Sequence, residues 1–108
     1  MVLLLLLVGH ALCDFGLQSE WIAKYKNPAN RSPAPPGQTQ ETIWPYVLGA
    51  HAMMHGGAVA LVTQRWELGT AEFVVHFLTD YLKCKNVIGL HADQAIHLFS
   101  KFLWWTGR

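Results

Sequence analysis

Four pairs of metal-type side chains, each spaced by four residues, interrupt the apolar stretches of this chain: His10 with Asp14, His51 with His55, His76 with Asp80, and Asp93 with His97. Residues four apart share one face of an α-helix with Cβ atoms about 5–6 Å apart, so both members of a pair can reach one ion or two adjacent ones. The chain has six histidines and three aspartates, and random placement of these residues gives about 0.7 such pairs by the same neighbour rule. All three aspartates and every histidine except His91 fall in a pair. Four segments must therefore be helical and must turn their paired faces towards one another.

The rest of the sequence is consistent with four helices. The spacing predicts helices over about Val2–Lys26, Pro45–Gln64, Ala71–Lys83 and Ala92–Trp105, with Pro45 in a first turn, Thr70 as an N-cap and Asp93 near a positive helix N-terminus. No stretch alternates as a strand does between hairpin turns. Residues 27–42, NPANRSPAPPGQTQET, have the composition of a loop, and RWELGT reads as a break before the third helix. The expected fold is all-α, a compact four-helix bundle with a Pro-rich linker between helices 1 and 2. At 108 residues it forms a single helical metal-binding domain, 1–108.

An antiparallel bundle brings the four pairs to roughly one layer. Carboxylates at that depth are costly to bury, and a bound dication compensates them. The candidate metal ligands are His10, Asp14, His51, His55, His76, Asp80, Asp93 and His97, with Asp14, Asp80 and Asp93 as candidate catalytic groups and Gln18 and Gln94 as substrate-orienting ones. Eight ligands exceed one tetrahedral zinc, so two divalent ions are expected, of Zn, Mn or Fe. A ferritin-like di-iron site is disfavoured, because the Glu-x-x-His pairs it uses are absent. The competing reading is a buried His–Asp network that sets helix register. The four glutamates fall nearer helix ends or loops and are read as surface residues.

Charged residues are 14% of the chain and apolar ones 52%, against roughly 25% charged in a typical soluble domain. That balance points to a membrane or an apolar partner. The start, MVLLLLLVGHALCDFGL, lacks a positive n-region and an A-x-A site and is read as a retained helix. A net charge of +1 with scattered basic residues argues against stable nucleic-acid binding. Cys13 and Cys84 read as core residues and Met53 and Met54 as packing. Gly56 and Gly57 read as a close helix approach, and Trp104 and Trp105 as either core or an interfacial anchor. His91 is not expected to be a ligand.

The segments GHALCDFGLQSEWIAKYK, AHAMMH, HFLTDYLK and DQAIHLF resemble a family of short, uncharacterised phage and bacterial proteins regarded as membrane proteins. The resemblance implies a bacterial inner-membrane location, with a cytoplasmic one as the alternative. The paired ligands are more distantly similar to those of helical zinc phosphoesterases of the phospholipase C and P1 nuclease type, and of inner-membrane metal hydrolases. That likeness implies a membrane-associated, metal-dependent phosphoesterase acting on a small phosphoester, with membrane lipid as a partner. The other class kept open is a non-catalytic membrane protein whose metal or polar network supports binding of a host protein.

Overall fold

In a computed structural model, described over residues 1–108, the chain is all-helical with no strand. It has five α-helices where four are expected: α1 (Val2–Ala11), α2 (Glu20–Tyr25), α3 (Gln40–Thr63), α4 (Trp66–Cys84) and α5 (Leu90–Gly107). The first expected helix divides. α1 runs into a single π-helical turn, Leu12–Gly16, and the chain leaves helical geometry until Ser19 caps α2 by accepting a hydrogen bond from the Ile22 amide. α3 starts five residues before Pro45 because Thr39 caps it through the Thr42 amide, which places the proline inside the helix. α4 begins at Trp66, not Ala71. Gly69 and Thr70 are interior, and the Thr70 hydroxyl donates back to the Trp66 carbonyl.

The reason Gly69 does not break α4 lies in its neighbour. A Cβ at Gly69 would sit 2.7 Å from both the Ala60 Cβ and the Gly56 carbonyl oxygen, and a Cβ at Gly56 would sit 2.6 Å from the Gly69 carbonyl oxygen. The two glycines let α3 and α4 touch backbone to backbone, as the small-residue run suggests, but Gly57 faces open space. Gly56→Ala and Gly69→Ala are expected to destabilise by about 1–3 kcal/mol through overpacking. Gly57→Ala should be neutral or stabilise by up to about 1 kcal/mol through helix propensity. Unfolding midpoints measured in the same detergent decide it, and equal effects at Gly56 and Gly57 would remove this account of the crossing.

α1 packs on α3 and α5, α3 on α4, and α4 on α5, so the four long segments close a ring, with α2 laid against α3. What the ring encloses is polar. Of 23 buried residues, thirteen are polar or charged and eight apolar, whereas twenty-four large apolar side chains are exposed. α4 shows the pattern within one helix: Glu72, His76 and Asp80 are buried, and Val74, Leu78 and Leu82 are exposed. α5 repeats it, with Asp93, His97 and Lys101 inside and Leu98, Phe102 and Trp105 outside. This inverts the usual arrangement of a water-soluble core. One helix, α3, is long and apolar enough to cross a membrane by length and composition.

Candidate metal centre

All eight residues expected as ligands are buried, and the ring brings them together. The π-helical turn carries Asp14 inward beside His10, and its Oδ1 becomes the meeting point of three imidazoles. His51 Nε2 donates to it at 3.2 Å, His55 Nε2 lies 3.2 Å away and His76 Nε2 3.6 Å away. The four ligand atoms all lie within 4.8 Å of one another. A dication holding N and O ligands at about 2.0–2.2 Å in a tetrahedron sets them about 3.3–3.6 Å apart. The three separations from Asp14 Oδ1 lie close to that range, and the nitrogens lie within 4.8 Å of one another.

Two further groups adjoin this one. Asp14, Asp93 and His97 form the second, so Asp14 belongs to both. Gln94 fixes that geometry, donating from Nε2 to Asp14 Oδ2 at 2.9 Å and to Asp93 Oδ2 at 3.1 Å, while its Oε1 accepts from His10 Nε2 at 3.0 Å. The third group is Glu72, His76 and His97. The rings of His55, His76 and His97 stack in sequence, with centroids 3.6 Å and 4.1 Å apart.

Asp80 is differently placed. Its Oδ2 accepts from Lys26 Nζ at 2.6 Å and lies 3.6 Å from His51 Nε2, at the margin of the cluster. Lys26 also donates to Gln18, so Gln18 serves the lysine. His10 is held by Gln94 and lies outside the three ligand groups. His91 is exposed, as expected. Cys13 and Cys84 are buried free thiols, but Met53 is largely exposed and not packed.

Sequence reasoning missed Glu72 and Lys101, which are 0% and 1% exposed. Lys101 Nζ donates to Glu72 Oε1 at 2.7 Å and to the His97 carbonyl at 3.3 Å, and the indole of Trp104 donates to Glu72 Oε2. Glu72 Oε1 also lies 3.5 Å from His76 Nδ1, on the side of that ring away from Asp14. A carboxylate there orients a ligating imidazole. The signal existed in the spacing: Glu72 lies four residues before His76 and Lys101 four after His97, so both extend the paired stripe.

Two observations speak to the fit of a cation. Eight buried polar atoms have no hydrogen-bond partner, seven of them ring nitrogens of His10, His51, His55, His76 and His97, and the eighth Asp93 Oδ1. Buried polar atoms are nearly always paired, so this density marks atoms arranged for a ligand. The charges agree. Asp14, Glu72, Asp80 and Asp93 are enclosed with only Lys26 and Lys101, which leaves an excess of two negative charges when the imidazoles are in their neutral, ligating form. These buried His and Asp groups can hold a metal ion.

No curated protein and no solved structure matches the chain. A family model does match, over residues 2–106, which include every residue of the cluster, and the chain therefore belongs to the family described as Protein of unknown function (DUF3307).

Proposed function

We propose that this protein is a lipid-embedded metalloprotein whose four long helical segments form a bundle around a two-ion centre that hydrolyses a phosphoester. The observation that carries the metal is the convergence of His51, His55 and His76 on one oxygen of Asp14 at 3.2, 3.2 and 3.6 Å. These four residues would hold one ion, and Asp93 and His97, which form a group with the same Asp14, would hold a second. The mixed imidazole and carboxylate donors suit Zn, Mn or Fe.

The membrane reading rests on the inverted distribution of polar and apolar side chains. With α4 at 19 residues and α5 at 18, these helices are about 27–29 Å long and α3 about 36 Å, close to the roughly 30 Å hydrocarbon thickness. Glu72 and Asp80 of α4 and Asp93 and Lys101 of α5 face the ring interior, where a lipid-embedded protein keeps them, and Glu67 and Lys83 lie near the ends of α4.

A bound dication supplies electrophilic stabilisation and lowers the pKa of water towards about 7. The protein's own groups then divide the remaining work. Asp14 is committed to the imidazoles and Asp80 to Lys26, whereas Asp93 has Oδ2 held by Gln94 and Oδ1 without a hydrogen bond. Asp93 is thus the candidate base. In the overall step the oxygen of water bonds to phosphorus and the bond from phosphorus to the ester oxygen breaks. One proton of the water passes to Asp93, and the departing oxygen takes a proton back to leave as an alcohol.

A structural metal site is the second reading, favoured by the burial of every ligand, since structural sites are closed. Elemental analysis and phosphomonoesterase assay of protein purified from membranes separate the two. A catalytic centre is expected to hold about two dications per chain, and Asp93→Asn should keep the fold and the ion held by Asp14, His51, His55 and His76 while losing turnover by about 10²–10⁴. Metal-loaded protein inert towards phosphomonoester, phosphodiester and phospholipid makes the site structural. Metal-free, chelator-indifferent protein recovered wholly in the soluble fraction removes both the centre and its membrane setting.

A further inference from the structure

A groove of about 400 Å³ opens between α2 and α3, within the ~300–1,000 Å³ range of small-molecule sites. Trp21 and Ile22 form one wall, Tyr46, Val47 and Met54 the other, and the only histidine in the lining is His51. No carboxylate, ammonium or guanidinium lines it. Trp21 and Tyr46 are exposed at the mouth, whereas His51 is 1% exposed and lies at the floor. On the other side of the cluster, the recess against His10 and His55 is too narrow to admit a water.

The groove's inner end has a different character. His51 Nε2 lies 3.2 Å from Asp14 Oδ1 and 3.6 Å from Asp80 Oδ2, and Asp80 holds the ammonium of Lys26. The apolar groove thus stops at His51, a candidate metal ligand that closes it off from Asp80 and Lys26 behind. A sugar or nucleotide in this groove would bring polar groups to walls that cannot pair them. A small polar ester would leave the walls uncovered. An amphipath with a hydrocarbon chain and a compact anionic head satisfies both ends.

We infer that the groove takes the hydrocarbon chain of a single-chain lipid phosphate and presents its phosphate monoester to the centre at His51. Charge complementarity supports the head group. The buried carboxylates and lysines leave two negative charges, two dications reverse this to two positive, and a phosphate monoester dianion balances them. The chain end is supported by the apolar groove walls. The inference rests on the metal-centre reading for the head group and on the groove alone for the chain.

The probes are dodecyl phosphate, butyl phosphate and inorganic phosphate, titrated into full-length, metal-analysed protein in a fixed detergent. Ala50 lines the groove and is exposed, so Ala50→Trp fills the groove without loading the polar core. Dodecyl phosphate is expected to bind at least tenfold more tightly than butyl phosphate, and Ala50→Trp to remove that advantage while metal content and butyl phosphate binding stay unchanged. Equal binding of the two esters, or an advantage that survives Ala50→Trp, overturns the inference, the latter because it reports partition into detergent. Chain-length discrimination sensitive to Ala50→Trp in metal-free protein upholds the groove and sinks the hydrolase. Metal-loaded protein without such discrimination leaves the hydrolase standing and sinks the groove.

Discussion

Asp14→Ala is expected to cost at least about 10²-fold in metal affinity, with a matching loss of thermal stability. Groups that merely orient ligands cost about 10–100-fold when removed, and Asp14 is the group on which His51, His55 and His76 converge. Its loss also takes away the acceptor for Gln94 and the only carboxylate shared by two ligand groups. Because metal binding is coupled to folding, the stability loss should shrink in excess chelator to the part due to the lost bonds from Gln94 and His51. Metal titration followed by thermal unfolding, with and without chelator, checks both parts. A variant that binds metal as wild type does would remove Asp14 from the centre.

Lys101→Met carries the largest expected effect on the bundle itself. Breaking a buried ion pair from one side costs about 3–5 kcal/mol, because the remaining charge is left without its partner. Here Glu72 would keep Ser100, Trp104 and the His76 ring but no cationic side chain. Adding Glu72→Gln removes the stranded charge and keeps an acceptor for the indole, so the double variant should recover most of the loss. Denaturant unfolding of the two single variants and the double variant gives the coupling directly. Additive effects would mean that Glu72 and Lys101 act independently, despite the 2.7 Å between them.

The eight paired residues were legible because a polar stripe at helical spacing in an apolar sequence leaves few places for a polar interior. The helices were legible for the same reason, but their ends were not. Gly69 resembles a break until the matching Gly56 on a neighbouring helix is known, and a local pattern carries no information about that neighbour. The error propagated: with α4 started at Ala71, Glu72 fell in a first turn and read as surface, whereas the start at Trp66 puts it well inside the helix. Lys101 was hidden by a different prior, that lysines near aromatic residues late in a chain sit at an interface. Lys26 was hidden because its partner Asp80 lies 54 residues away. The division of the first helix was missed because nothing in LCDFG distinguishes a π-helical turn from an α-helical one before Asp14 has its three imidazoles to meet.

The ring has a further consequence for the order in which the molecule can assemble. Its first and last long helices are neighbours, and the bond between His10 and Gln94 joins residues 84 positions apart. During synthesis α1, α3 and α4 can meet before α5 exists, yet the face they share carries Asp14, Glu72 and Asp80 with no Lys101 to balance Glu72 and no Gln94 to hold Asp14. The intermediate is an open trough in which Lys26 answers Asp80 but nothing answers Glu72, and closure waits on α5. Such long-range closure is slow by its topology. The half-built protein thus passes through a stage in which its most polar surface is uncovered, and the arrival of α5 is the event that turns a trough into a core.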